Sequence, residues 1–345
     1  MRHAPDMAAR TPRHKVCADF SRVASRVQTS IRFRAISDSG SICLHLSSRS
    51  VLRPGATMVF ASPPGRSDNL SLGEDAVLSA ASSLRRDGFA VVPNMFGRDE
   101  VREVERLLDW ALVRAARSPA AQPFLVRYPR EGGGHHEEGS GRALDGWDQL
   151  ELNYAATLVP ALLETAVFRG CTALARRLAG PVSRSFDHVI YKGARNRTAT
   201  PWHQDAAFAL WRGSRPRQLH FWIPLQDVTL ESGCMTFLAG SHLGPLVRHR
   251  RVLRPSGRPG QEAKPSIAGS ISCPLALGGI TLHTPTTLHR AGCNASTMPR
   301  KAWIIQYGPL GGIRLAAKRL AGALPHPLAP EGPNFEREAD DARSR

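Results

Sequence analysis

No part of this 345-residue chain approaches the roughly 20 consecutive apolar residues that a membrane-spanning helix needs. Its most apolar windows, such as 158–168, are broken by Pro160 and Glu164, which sets a membrane-integral reading aside. The six cysteines include no C-x-x-C pair and no regular spacing, so neither a zinc ribbon nor a disulfide framework is expected. The thiols are expected to be reduced, as in a cytoplasmic protein, with Cys171, Cys234 and Cys273 as small buried hydrophobes. Acidic residues are few: 29 Asp and Glu stand against 46 Lys and Arg, for a formal charge of +17. Yet the basic residues form no dense run interleaved with aromatics, so specific nucleic-acid binding is not expected. Anionic small molecules remain compatible with the charge.

Residues 1–57 carry ten Lys and Arg against only Asp6, Asp19 and Asp38. They show no sustained hydrophobic period, so they read as a disordered or non-native extension rather than core. Arg- and Ser-rich, acid-poor segments also serve as organellar targeting sequences. The alternative that Met58 is the true start fits best, because the organised domain spans 72–310, with 311–345 as a tail. No secretory apolar segment is present.

From Glu74 a helical pattern runs to Asp87-Gly88 and yields a buried strand, Phe89-Ala90-Val91-Val92. Asp99 is the expected N-cap of a second helix, 101–116, with Val104, Leu107, Leu108 and Leu112 as its core stripe. The glycine-rich stretch around His135 and His136 reads as a solvated loop or lid, since adjacent histidines rarely present one coordinated face. Residues 152–178 read as one or two helices broken at Pro160. After Pro181 about seven short strands (185–192, 200–208, 218–225, 234–239, 279–283, 286–292 and 301–307) predict an antiparallel sandwich or barrel. The fold class is thus α+β, mainly β, with flanking N-terminal helices.

The candidate chemistry lies in Thr200-Pro201-Trp202-His203-Gln204-Asp205. Two residues apart on a strand, His203 and Asp205 share a face and can converge on one ion. Two histidines and a carboxylate with open positions opposite them are the ligand set of non-haem Fe(II) oxygenases. His220, His242, His283 and His289 are candidates for the second histidine. His289 stands out, because its strand leads through the turn at 293–296 towards Arg300, and a hairpin there would bring the two residues together. 2-Oxoglutarate chelates such an iron at one end and leaves a distal carboxylate, which an arginine fork holds bidentately.

Residues from about 75 to 308 resemble the phytanoyl-CoA dioxygenase family of Fe(II)- and 2-oxoglutarate-dependent oxygenases. The matching segments are Asp87 to Pro93, Tyr191-Lys192-Gly193, Thr200 to Asp205, Trp222 to Leu225, Glu231 to Met235, Ala239 to His242, His289 to Asn294, and Arg300. The resemblance implies a double-stranded β-helix, or jelly roll. It implies His203, Asp205 and His289 as iron ligands, Arg300 as the 2-oxoglutarate partner, and Trp222 and Lys192 near the co-substrate. Fe(II), 2-oxoglutarate and O2 would be required, with ascorbate as an expected stimulant. Ala291 stands where the family often has a small hydroxylated residue, which removes one supporting hydrogen bond. Because Asp205 is kept, where related halogenases have a small residue, the implied reaction is hydroxylation or another oxidation of a small organic molecule, releasing succinate and CO2. Two other classes compete: a non-oxidising β-sandwich binding or regulatory protein, and a metal enzyme independent of 2-oxoglutarate. The proximity expected for Arg300 disfavours both. Arg212, Arg215 and Arg217 follow the metal strand and could meet an anionic substrate, although exposed loop arginines are commoner. Nothing in the sequence sets the oligomeric state.

Overall fold

The helical period beginning at Glu74 ends where its pattern places it: α1 spans Glu74–Asp87, with Glu74 and Asp75 in its first turn and Arg85 and Arg86 in its last, as the helix dipole favours. Gly88 closes α1 at φ 84°. A Cβ there would lie 2.5 Å from His242 Nδ1, so position and space both require glycine. His242 is used in this junction, its Nε2 lying 3.2 Å from the Arg85 carbonyl. The computed structural model of the protein describes residues 73–130, 144, 146–208 and 217–328. The extension 1–57 and the segment holding His135 and His136 lie outside the described residues, as do Arg212 and Arg215.

After strand β1 (Phe89–Val92) comes α2 (Arg98–Arg117), which buries Val104, Leu107, Leu108 and Leu112 as its stripe requires. Asp99 is not its cap. The chain enters through Gly97, whose N–H donates to Glu100 Oε2 at 2.7 Å, leaving Asp99 in the first turn. Strands β2 (Leu125–Pro129) and β3 (Trp147–Asn153) follow. Next come α3 (Ala155–Leu158), a 3-10 turn at Pro160–Glu164 and α4 (Ala166–Ala179). The break expected at Pro160 is therefore present, but the segment is three short pieces. Thr165 Oγ1 caps α4 by accepting from Phe168 N at 3.2 Å.

The strand-rich half contains β4 (Ser183–Lys192), β5 (Thr200–His203), β6 (Leu219–Pro224), β7 (Met235–Leu238), β8 (Arg250–Leu253) and β9 (Pro259–Glu262). It continues with β10 (Ser270–Cys273), β11 (Ile280–His283), β12 (His289–Ala291) and β13 (Arg300–Gly308). The residues read as a tail open with a helix, α5 (Gly311–Leu320), where Gly312 N donates to Ser183 Oγ at 2.8 Å. No helix among the described residues is long and apolar enough to cross a membrane.

The strands form a seven-stranded sheet ordered β1-β11-β6-β13-β4-β3-β2, a four-stranded sheet ordered β10-β7-β12-β5, and the separate β8-β9 hairpin. The result is an open antiparallel jelly roll, not a closed barrel. Alternation along each strand assigns its two faces. On β13, Trp303, Ile305 and Tyr307 join the core formed with Leu108, Leu112 and Leu174 of the helices. Ala302 and Ile304 belong to the second core, between the sheets, with Phe89, Trp222 and Phe237. Phe89 and Phe237 stack at 4.4 Å between ring centroids. The site lies beside this inner core, where the sheets face each other.

Candidate metal centre

His203 ends β5 and is the register partner of His289 on β12, so the two imidazoles stand side by side, 4.2 Å between ring centroids. Each ring is oriented by its own backbone: His203 Nδ1 lies 2.8 Å from Pro201 O and His289 Nδ1 lies 2.9 Å from Thr287 O. Those bonds place the proton on Nδ1 and leave both Nε2 lone pairs facing inward. Asp205 is not on the strand. It opens a 3-10 turn, Asp205–Phe208, and this turn, not strand alternation, brings its carboxylate to the histidines. Oδ1 lies 3.4 Å from His203 Nε2 and Oδ2 lies 3.7 Å from His289 Nε2. Around one ion with bonds of about 2.0–2.2 Å, ligand atoms sit about 3 Å apart, so the trio fits a metal with little movement. Gln204, between the two, is fully buried and fixes the turn: its Nε2 donates to Thr286 O at 2.6 Å and its Oε1 accepts from Val247 N at 2.9 Å.

Arg300 does not share a hairpin with His289. The two belong to different sheets, β13 in the large one and β12 in the small one, and both line one cavity. Arg300 is 1% exposed, lies over the Trp222 ring at 5.5 Å, and donates from Nη2 to Gly233 O at 3.3 Å. Its Nε and Nη1 are buried with no hydrogen-bond partner. Burial pulls this guanidinium down to about 10, which still leaves it charged at neutral pH. A buried cation with two unused N–H groups fits the carboxylate of a bound anion. Gly233 makes the approach of its loop possible, since it has φ 79° and a Cβ there would lie 2.5 Å from Gly292 O.

Trp222 is thus at the cavity beside Arg300. Lys192 is not among the cavity-lining residues. Its Nζ donates to Thr198 O at 2.8 Å and Gly292 O at 2.7 Å, and burial, together with Arg300, holds it well below the ordinary lysine pKa. It joins the start of β5 to the end of β12 instead of reaching the pocket. Ala291 also lines the cavity.

Two histidines considered as ligand candidates have another place. His220 on β6 and His283 on β11 are register partners, and both reach the same oxygen, Asp205 Oδ2, at 2.6 Å from His220 Nδ1 and 3.2 Å from His283 Nε2. Asp205 therefore belongs to two overlapping trios, with His203 and His289 and with His220 and His283. Burial alone would raise its carboxyl, but His289 and His220 hold it well below the usual carboxylate range. Burial, then His203, pushes His289 well below the ordinary imidazole value, keeping it neutral and ready to ligate.

The cavity holds about 800 Å³. Its outer wall is built by Tyr128 and Glu151 on β2 and β3 and Arg254 after β8, none of them singled out by a motif. The signal was present in the apolar-polar alternation Gln149-Leu150-Glu151-Leu152-Asn153. Arg217, by contrast, is exposed and not among the lining residues.

The family model of phytanoyl-CoA dioxygenase matches residues 84–302. Phytanoyl-CoA dioxygenase domain-containing protein 1 of Bos taurus is 36% identical over 107 residues, 29% of this chain and 36% of the bovine protein. The match thus spans about a third of that relative's length. L-proline trans-4-hydroxylase of Streptomyces griseoviridis is 29% identical over 194 residues, 54% of this chain and 60% of that enzyme. Among solved structures, EvdO2 from Micromonospora carbonacea var. aurantiaca, complexed with 2-oxoglutarate, has a TM-score of 0.53 at 27% identity, covering 66% of this chain and 89% of EvdO2.

Proposed function

Because this chain belongs to the phytanoyl-CoA dioxygenase family, we propose that it is an Fe(II)- and 2-oxoglutarate-dependent oxygenase acting on a small organic molecule. The observation that carries this reading is Arg300, buried with two unpartnered N–H groups in the same cavity as the trio His203, Asp205 and His289. Neither a 2-oxoglutarate-independent metal enzyme nor a plain binding protein calls for both features at once.

His203, Asp205 and His289 would hold the iron through two neutral Nε2 atoms and one carboxylate, leaving the opposite face open. Arg300 would take the distal carboxylate of 2-oxoglutarate, with Trp222 stacked against the guanidinium to fix its plane. Bound Fe(II) with 2-oxoglutarate supplies O2-dependent oxidation of a substrate C–H bond, with release of succinate and CO2. The chain orients these groups and keeps bulk water from them, since His203, His289, Trp222 and Arg300 are all buried. The activity of the L-proline trans-4-hydroxylase relative supports hydroxylation as the outcome. The described cysteines are free thiols, which supports a reducing, cytoplasmic setting.

Anaerobic addition of Fe(II) and 2-oxoglutarate should produce the weak visible charge-transfer band of the chelate. Folded protein that binds iron but gives no such band would refute the reading. Under air, succinate formation should depend on both Fe(II) and 2-oxoglutarate.

A further inference from the structure

The substrate side of the cavity sets hydrogen-bonding groups among the apolar side chains of Phe186, Ile190, Phe208 and Ile304. In register across the large sheet, His188 faces Asn153 on one side and Ile304 on the other, and Gln306 lies beside Phe186 and His220. Polar side chains thus reach from the metal trio to the outer strands. At the far wall Glu151 Oε1 accepts from Tyr128 OH at 2.9 Å and from Gln149 Nε2 at 2.7 Å. Arg254 closes the network, with Nη1 3.1 Å from Tyr128 OH and 3.8 Å from Glu151 Oε1. Three neighbours therefore fix one oxygen of Glu151, while no described residue hydrogen-bonds Oε2. An alkyl ligand would leave that oxygen unpaired, at roughly 1–3 kcal/mol.

The rim adds charge of one sign. Arg258, Arg314 and Lys318 line the mouth, and no acidic side chain among the described residues forms an ion pair with any of them. Lys318 is instead held by Tyr154, over its ring at 5.0 Å and hydrogen-bonded to its hydroxyl. Arg258 Nη2 donates to Pro123 O at 3.3 Å. Beyond the metal and co-substrate end, Glu151 is the acidic residue of a lining that also carries Arg254, Arg258, Arg314 and Lys318.

We infer that the substrate is a polyhydroxylated small molecule bearing a phosphate or carboxylate group, with a hydroxyl on Glu151 and its anion between Arg314 and Lys318. Glu151 Oε2 accepts a hydrogen bond from that hydroxyl, His188 lines the same cavity, and the rim cations hold the charged end in partly screened solvent. The inference rests on the oxygenase reading for the position of the metal, and a cavity of about 800 Å³ leaves room for a sugar-sized molecule beside 2-oxoglutarate.

The test titrates the anaerobic Fe(II)·2-oxoglutarate protein with glucose, glucose 6-phosphate, glucuronate and octanoate, reading perturbation of the visible band. Inorganic pyrophosphate is titrated separately by calorimetry into metal-free protein held in excess 2-oxoglutarate, so that Arg300 is already occupied. One or both anionic sugars should act at about tenfold lower concentration than glucose, the worth of a charge-assisted contact, and which one does so separates phosphate from carboxylate. Glu151→Gln should weaken every sugar and leave pyrophosphate binding unchanged. The double variant Arg314→Glu, Lys318→Glu should do the reverse, abolishing pyrophosphate binding and the anionic advantage while glucose still perturbs the band. Tighter binding by octanoate overturns the inference, as does silence from both anionic sugars at about 10 mM, or pyrophosphate binding that survives the double variant. Loss of the band altogether would instead count against the oxygenase reading, and pyrophosphate would still decide the rim.

Discussion

His220 Nδ1 lies 2.6 Å from Asp205 Oδ2, across from the oxygen that faces His203. The carboxylate is therefore oriented by His220 and His283 of the large sheet, while His203 and His289 belong to the small one. Such outer hydrogen bonds typically contribute 10–100-fold to metal affinity. His220→Leu should weaken Fe(II) binding by about that factor, whereas His220→Asn, which keeps an N–H near the Nδ1 position, should restore much of it. Metal titration with competition by a chelator measures both. If wild-type protein takes up two equivalents of metal and the leucine variant one, His220 is a ligand and not an orienting group.

Arg300 presents a planar fork that lysine cannot copy. Arg300→Lys should raise the 2-oxoglutarate requirement by on the order of a hundredfold, with iron affinity unchanged. Steady-state succinate formation gives the first quantity and metal titration the second.

Ala291 offers the complementary experiment. It lines the cavity without a hydroxyl, so Ala291→Ser should tighten 2-oxoglutarate by about fivefold, the worth of one ordinary hydrogen bond. No change in the 2-oxoglutarate titration would mean that the new hydroxyl does not reach the co-substrate.

His188, His283 and His289 all lie below the ordinary histidine value, with burial the leading cause in each. The folded pKa is thus below the unfolded one, about 6.5, and the unfolded chain takes up protons first as pH falls. Stability present above about pH 6.5 is lost as pH drops through that value toward the folded pKa. Thermal melts of metal-free protein should therefore fall between pH 7.5 and 5.5, and His188→Gln should reduce the fall.

Gly233 combines φ 79° with a backbone contact at 2.5 Å from the position a Cβ would occupy. Gly233→Ala should cost about 1–3 kcal/mol of stability and, because Gly233 O accepts from Arg300, also weaken 2-oxoglutarate binding. Denaturant unfolding and a 2-oxoglutarate titration read the two effects independently.

Much of this was legible in the chain itself. The helical stripe of α2 and the strand runs near 185–192, 218–225 and 301–307 appear close to their expected places, because strong periodicity survives tertiary context. His203, Asp205, His289 and Arg300 line one cavity, but not by the expected geometry. Asp205 reaches the site through a 3-10 turn, and Arg300 faces His289 across the sandwich. Local spacing could not reveal either, since both depend on which strands pair far along the chain. Lys192 shows the same limit: its neighbourhood in sequence was suggestive, and only the carbonyls of Thr198 and Gly292 reveal that its N–H donors are already used. The roles of His220 and His283 depend on a cross-strand register that no motif announces.

The division of the site between two sheets has a mechanical consequence. Backbone hydrogen bonds fix spacing within a sheet, but only packed side chains fix the gap between sheets, and here that spacer includes the stacked pair Phe89 and Phe237. The span from His289 to Arg300 is therefore a thickness set by aromatic rings rather than a distance set by the ladder. Thinning that spacer, which touches no ligand atom itself, would detune the site like a caliper closed by one notch.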